Sequence, residues 1–261
     1  MELVPGDLAL VGEGGGVGER LERRNELARD TERGRRVLAA NLDALAVVAA
    51  AGTLDGGEGL IARVIAAAHA SGLSPLLVFT KADLDADGAL AHRCERARAL
   101  GFEAFLVSSQ DGAGVEALEA RLEGRAVAWV GASGVGKSTL INRLHPEAEQ
   151  VTGALDPTGR GRHTTTLGRA IPWRGGHLVD LPGVRSFGLF DAEGLLEAFP
   201  DVAAPAQGCR FRDCAHQREP GCQVQVALEE GLLEEARLDA WRGILESLKA
   251  GQEGAGVRSG R

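Results

Sequence analysis

Gly131-Ala132-Ser133-Gly134-Val135-Gly136-Lys137-Ser138 is the stretch whose reading decides the fold of this chain. It fits G-x-x-x-x-G-K-[ST], and it follows the apolar run AVAWV (126–130) and precedes an amphipathic segment from Lys137 to Leu144, the strand–loop–helix setting the motif needs. Glycines let backbone N–H groups turn inward around a phosphate, and a helix N-terminus adds its partial positive charge. In such a loop residues 131–136 together with Lys137, Ser138 and Thr139 line the phosphates, Lys137 reaches the β and γ oxygens, and Ser138 ligates Mg²⁺. A chain with 37 glycines forms Gly-rich turns readily, but its only lysines are 81, 137 and 249, so a Lys at the required place carries weight.

Upstream of the loop, apolar runs alternate with helical patterns: LDALAVVAAA, a helix near 58–71, PLLVFT, a helix near 87–100, FEAFLVSS, a helix near 115–122 and AVAWVG. Strand and helix in alternation predict an α/β unit with a parallel sheet covered on both faces. Downstream lie two further strands, LGRAIPW and HLVDLP, and from Phe199 the pattern changes to a Cys/His cluster followed by helical segments near 223–231 and 233–249. The 261 residues carry a net charge of -8 and are 44% hydrophobic, a globular composition that excludes the whole chain as a polyanion coat; nucleic-acid contact has to use local patches. The most apolar run, from Ala44 to Leu54, is shorter than the roughly 20 residues that span a bilayer, and MELVPGDLAL lacks the pattern of a secretory signal. A cytoplasmic protein with no membrane partner is expected.

Thr80-Lys81-Ala82-Asp83 ends the strand PLLVFT and resembles the N-K-x-D element of GTPases. A carboxylate there accepts both N1–H and N2–H of guanine, which adenine cannot offer, while the Lys stem packs on the base. Ser108-Ser109-Gln110 ends the next strand and resembles the S-A-K element, whose backbone N–H reaches guanine O6. Asp180-Leu181-Pro182-Gly183 resembles D-x-x-G, with Asp180 toward Mg²⁺ and the Gly183 N–H toward the γ-phosphate. Between them GRGRHTTT (159–166) suits a γ-phosphate sensor, with Thr165 supplying a metal-binding hydroxyl and His163 near the attacking water. Val184 stands where many small GTPases carry a water-orienting Gln. Ordinary GTPases run phosphate loop, switch, D-x-x-G, N-K-x-D, S-A-K; here the base-reading elements come first, which is a circular permutation.

Cys209-x4-Cys214-x-His216-x5-Cys222 supplies three thiolates and an imidazole within 14 residues, a closed tetrahedral set suited to one structural Zn²⁺. A disulfide is disfavoured by compartment and by the odd count. Arg210, Arg212 and Arg218 make the loop a candidate RNA contact.

Together FTKADL, GASGVGKSTLIN, GRGRHTTT, VDLPGVRSFGL and CRFRDCAHQREPGC resemble the RsgA (YjeQ) family of circularly permuted GTPases. The resemblance covers about 36 to 250. It implies an α/β fold made of a permuted P-loop GTPase domain (37–198), a partial N-terminal OB-fold remnant (1–36), a helical zinc-binding domain (199–250) and a disordered tail (251–261). It further implies GTP hydrolysis to GDP and phosphate with Mg²⁺, stimulated by the small (30S) ribosomal subunit, contact with 16S rRNA, and a role in late subunit maturation ending in release. Action as a monomer is expected. Residues 1–36 are too few for a five-stranded barrel; Pro5 to Leu10 would be a middle strand and residues 19–30 a closing part, whose Arg20, Arg23 and Arg24 could meet phosphate. Two readings compete: a nucleotide-gated RNA-binding module whose hydrolysis is incidental, and an ATP-dependent kinase, which would leave TKAD and SSQ without a purpose.

Overall fold

The computed structural model describes residues 3–12, 15–31, 34–50, 57–146, 168–181 and 194–256. They group into two compact units, one of Met1–Leu54 with Ser71–Ser186 and the other of Asp55–Ala70 with Phe187–Arg261.

In the first unit, β1 (Ala9–Val11) pairs with β2 (Val17–Arg20) and β3 (Glu26–Thr31) with β4 (Gly34–Ala40), each pair antiparallel. A six-stranded sheet follows, built from β5 (Ala44–Ala50), β6 (Ser74–Thr80), β7 (Glu103–Val107), β8 (Ala126–Gly131), β9 (Arg169–Trp173) and β10 (Gly176–Asp180) in the order β7-β6-β5-β8-β10-β9. All neighbours are parallel except the β9–β10 hairpin. β5 and β8 are buried along their whole length, as central parallel strands must be, which is why they read as unbroken Val/Ala/Leu runs rather than as alternation.

Strand periodicity then selects one face. Ala44, Ala46, Val48 and Ala50 of β5, Leu76 and Val78 of β6, and Val127 and Trp129 of β8 share a core with Leu118 and Leu122 of a helix at Val115–Leu122 and Leu140, Ile141 and Leu144 of a helix at Lys137–Leu144. Full burial of each such Leu contributes about 1.5–3 kcal/mol. The order of strand addition reverses between β5 and β8, which are parallel: successive strands build outward through β6 and β7, then β8 returns to the other side of β5. Open α/β sheets bind ligands at the carboxyl ends of strands beside such a switch point.

The helices are numbered in chain order: α1 (Gly57–Ala70), α2 (Ala89–Ala99), α3 (Val115–Leu122), α4 (Lys137–Leu144), α5 (Leu195–Ala198), α6 (Pro200–Ala206), α7 (Gln223–Glu229) and α8 (Glu235–Gly256). The sequence placed α1 in the GTPase domain; by its contacts it belongs to the second unit, where it packs on α5 and α8 and buries Ile61, Ala62, Val64, Ile65 and Ala66. The boundary expected at 198 lies inside the second compact unit, whose later segment is Phe187–Arg261. The short helices α5 and α6 had no signal of their own, because four to seven residues are too few to show a helical period. α8 runs on to Gly256, so the tail read as disordered from 251 is helical for its first six residues. Extending an existing helix fixes one residue per hydrogen bond and avoids the cost of nucleation.

Three arginines offered as phosphate contacts are engaged inside the protein. Arg23 grips Asp7 through Nε (2.6 Å) and Nη2 (2.8 Å) and Glu26 through Nη1 (2.8 Å). Its guanidinium holds the Asp7 carboxyl below the ordinary carboxylate range. Arg24 donates to Asp43 (2.7 Å) and to the carbonyls of Asn41 and Leu42, and Arg20 lies 3.9 Å from Asp7. Leu8, Leu10, Val11, Val17 and Leu21 of the first hairpin are exposed.

In the second unit, Arg237 is 5% exposed and clamps Asp201 with Nε (3.0 Å) and Nη2 (2.7 Å), donates to Ala198 O (3.0 Å) and lies 4.4 Å from the Phe199 ring centre. Phe199 in turn meets Trp241 edge-on at 5.4 Å. Arg237→Ala leaves the Asp201 carboxylate buried without its cation and is expected to cost about 3–5 kcal/mol. Replacing both residues by apolar ones of similar volume should cost less than either single change; urea denaturation of the three variants checks the non-additivity. Among the described residues, no helix is long and apolar enough to cross a membrane.

Candidate nucleotide site and metal centre

The carboxyl ends of β6, β7, β8 and β10 carry the residues nominated from sequence. At the end of β8, the loop from Gly131 to Gly136 leads into α4, whose first residue is Lys137. Gly136 caps the helix at φ 91°, where an L side chain is strained, and a Cβ on Gly131 would come within 2.8 Å of Val48 O. Val135 is buried and anchors the loop, whereas Ser133, Gly134, Ser138 and Thr139 face solvent, as a phosphate cradle requires. Ala132 is half-buried against the core.

Lys137 Nζ donates to Asp180 Oδ1 at the end of β10, which brings the phosphate-loop lysine and the D-x-x-G aspartate into contact. Register explains the meeting: Asp180 pairs with Trp129, two residues before the phosphate loop opens. Leu181 follows, but Gly183, His163 and Thr165 lie outside the described residues.

The base-reading elements are joined to the phosphate loop by side chains. Thr80, 1% exposed, lies with its hydroxyl 3.1 Å from Ala49 O and in contact with Val135 O. One hydroxyl proton serves both acceptors in turn, where an Asn amide would supply two. Lys81, in the left-handed region at φ 63°, donates from Nζ to Gly134 O (2.8 Å). Asp83 is exposed on the 3₁₀ turn Ala82–Leu84, and its Oδ1 accepts from Ser108 Oγ (2.7 Å). Ser108 is fully buried, and its Oγ also accepts the N–H groups of Gln110 (3.2 Å) and Asp111 (3.3 Å). Thus Ser108 orients the Asp83 carboxylate, a role its place in the sequence did not announce; Ser109 is left at the turn itself.

A second cluster gathers Cys209, Cys214, His216 and Cys222, with ligand atoms all within 4.8 Å of one another. Cys209 Sγ is 3.9 Å from Cys222 Sγ and 3.7 Å from His216 Nδ1, and Cys222 Sγ is 3.6 Å from that nitrogen. Tetrahedral zinc with bonds of about 2.3 Å to sulfur and 2.0–2.1 Å to nitrogen needs S···S edges near 3.8 Å and S···N edges near 3.6 Å, so these side chains fit the ion. No cysteine is disulfide-bonded among the described residues.

The electrostatics agree with a cation. Burial, followed by the nearby Arg242 charge, moves His216 below the usual imidazole range against the pull of Glu219, which keeps it neutral and able to donate a lone pair. For Cys209 burial acts upward, but the N–H groups of Gln223 and Val224 and the neighbouring thiols bring it below the ordinary thiol value. Cys214 is pushed up to about 11, by burial first and then by Cys222 and Cys209. The thiols thus favour one thiolate, at Cys209, and oppose a further one at Cys214, an opposition that a cation would relieve. The loop is shaped by Glu219, which accepts the N–H groups of Ala215 (2.9 Å) and Gln217 (2.8 Å), and by His216 O, which accepts from Gln225 Nε2 (2.5 Å) and from Arg242. His216 itself adopts φ 57°.

Comparison with known proteins gives a consistent result. A family model described as RsgA GTPase matches residues 20–190. The small ribosomal subunit biogenesis GTPase RsgA of Pseudomonas fluorescens is 43% identical over 239 residues, covering 87% of this chain and 68% of that protein. The protein of the same description from Azotobacter vinelandii is 41% identical over 247 residues, 90% of this chain and 71% of its own. Among solved structures, YjeQ from Thermotoga maritima superposes with a TM-score of 0.69 at 26% identity over 95% of this chain and 85% of that one. YloQ, described as a circularly permuted GTPase, gives 0.68 at 27% identity over 96% and 82%.

Proposed function

The chain belongs to the RsgA GTPase family and is a GTP hydrolase of small ribosomal subunit biogenesis; on that premise we propose that the carboxyl-end cluster of its six-stranded sheet is the GTP site and that the small subunit triggers hydrolysis there. The observation that carries this reading is the contact of Lys137 with Asp180 on one side of the phosphate loop and the tie of Lys81 to Gly134 on the other, which sets base and phosphate elements around one loop.

Lys137 and the backbone N–H groups of residues 131–136, with Ser138 and Thr139, hold the β and γ oxygens and neutralise charge that grows in the transition state. Asp83, held by Ser108, accepts guanine N1–H and N2–H, while Thr80, Lys81 and the turn at Ser109 fix that edge of the site. Ser138 and Asp180 offer the hard oxygen donors that Mg²⁺ prefers and would hold the ion, which would supply neutralisation of the phosphate charge. Water attacks the γ-phosphorus, its bond to the β–γ bridging oxygen breaks, and GDP leaves with the electron pair. His163 is proposed to orient that water, with Thr165 and the Gly183 N–H on the γ-phosphate; Val184 lacks the polar group that would do this elsewhere. Residues 1–36 and 199–250 are read as the RNA-facing parts, the latter held by one structural Zn²⁺, with 16S rRNA as partner, the cytoplasm as location and a monomer as the working form.

GTP hydrolysis measured with and without purified small subunits tests this. Slow turnover alone and strong stimulation by subunits is the expected result; turnover that subunits leave unchanged would instead favour the nucleotide-gated RNA-binding module. For base selection, Asp83→Asn turns an acceptor into a donor facing the guanine amino group, whereas xanthine offers an oxygen there. Affinity for GDP should fall about 100-fold, as expected for two charge-assisted hydrogen bonds, and xanthosine diphosphate should become the preferred ligand in competition binding.

A further inference from the structure

We infer that Arg143 is a positioning residue for base recognition, tying the phosphate-loop helix to the turn that meets the guanine 6-oxo group. The inference rests on the reading of Asp83 and Ser108–Ser109 as the base-reading elements.

Arg143 lies in the last turn of α4, the helix whose first residue is Lys137. Its Nη1 donates to Ser109 O at 3.0 Å, 34 residues away in sequence. Its Nη2 sits against Gly112, where a Cβ would be 2.6 Å from it, and the backbone there, at φ 90°, calls for glycine. Besides the bond from Ser108 Oγ to Asp83 (2.7 Å), the turn it grips is closed on itself, by Ser108 N–H to Ala113 O (2.9 Å), Gly112 N–H to Ser108 O (3.0 Å) and the two N–H groups on Ser108 Oγ. Ser108 is anchored in the core, but Ser109 to Gly112 project from it.

Two other ties, from Thr80 and Lys81, bind the strand end that carries Asp83 to the phosphate loop. Neither reaches the β7–α3 turn. Arg143 supplies that third tie, and it runs to the end of α4 opposite the phosphates. The strand end that carries Asp83 is therefore held to the phosphate loop, and the Ser109 turn to the helix that follows that loop, by different side chains, while Ser108 joins the turn to Asp83. Removing Arg143 loosens the oxo edge first, because Asp83 lies on a strand end that keeps its own ties through Thr80 and Lys81. The group is exposed, so the loss should match one solvated hydrogen bond.

The test compares Arg143→Gln and Arg143→Lys with the parent chain, using GDP, IDP and ADP as probes in displacement binding, alongside steady-state GTP hydrolysis. GDP and IDP share the 6-oxo group and ADP lacks it. Arg143→Gln should weaken GDP and IDP alike by about fivefold and leave ADP unchanged. KM for GTP should rise by a similar factor with kcat held, and Arg143→Lys, which keeps a donor but loses the fork, should fall between. Equal loss for all three nucleotides, or a lowered melting temperature with the GDP-to-ADP ratio intact, would overturn the inference, because a merely structural residue produces those results. Asp83→Asn run in parallel separates the two claims. If it loses guanine selectivity while Arg143→Gln keeps it, only this inference fails; if it leaves selectivity unchanged, the base-site reading fails and this inference with it.

Discussion

Lys137→Ala is expected to lower kcat for GTP hydrolysis by about 10²–10³-fold while the protein remains folded. Lys137 is the one cation in the described phosphate cradle placed to follow the γ-phosphate as its charge spreads, and deleting a single preorganised donor at a developing anion typically costs that much. The fold should tolerate the change. Lys137 sits on the first turn of α4, where Ala is a good helix former, and its partner Asp180 keeps a side chain 33% exposed that water can solvate. The pair is part-buried, with the Lys137 side chain 14% exposed, so its loss is expected to cost about 1–3 kcal/mol, short of unfolding the domain. Steady-state hydrolysis at saturating GTP, read beside the melting temperature, checks both halves. Turnover within a few-fold of the parent would mean that the phosphate lies elsewhere.

Removing metal from the Cys209–Cys214–His216–Cys222 centre is expected to unfold the loop between residues 209 and 222. A metal bound by groups that do not form a site in the unfolded chain contributes its binding energy to folding, about 10–16 kcal/mol in small zinc units. Apart from the hydrogen bonds of Glu219, Gln225 and Arg242, the loop has little apolar support: Phe211 is exposed, and the buried side chains are His216 and Cys222 of the cluster itself. Cys222→Ser should drop bound zinc from one per chain toward zero, and protease should then cut within the loop while the first unit stays resistant. Acidity should act in the same direction. The bound state needs three thiolates and a neutral imidazole, the released state takes up protons, so falling pH favours release. Zinc content by atomic emission across a pH series, with limited proteolysis at each point, measures it. Metal-free protein with an unchanged loop would defeat the assignment.

How much could be read in advance follows from how local each feature is. The phosphate loop, its helix, and the Cys/His spacing are contiguous, and each needs only its own residue types at its own intervals, so the loop around Lys137 and Ser138 and the cluster of three cysteines and a histidine were legible in the chain. The same holds for β5 and β8, whose double burial demands unbroken apolar runs, and for the permuted order, which is linear information. Partners distant in sequence were another matter. That Arg23 and Arg24 pair with Asp7 and Asp43 depends on partners 16 and 19 residues apart. Ser108 finds Asp83 across 25 residues, and Arg143 finds Ser109 across 34. Helix α1 shows an apolar face in its sequence, but a face names no partner, and only packing against α5 and α8 decides that the helix between β5 and β6 belongs with the C-terminal unit. The sequence by itself determined which chemistry is present, because spacing along one loop or helix sets which backbone and side-chain groups can converge. The tertiary structure alone decided which of those groups hold one another in place, because long-range pairing is selected by the topology of the sheet and by burial, and neither is written in any short stretch of chain.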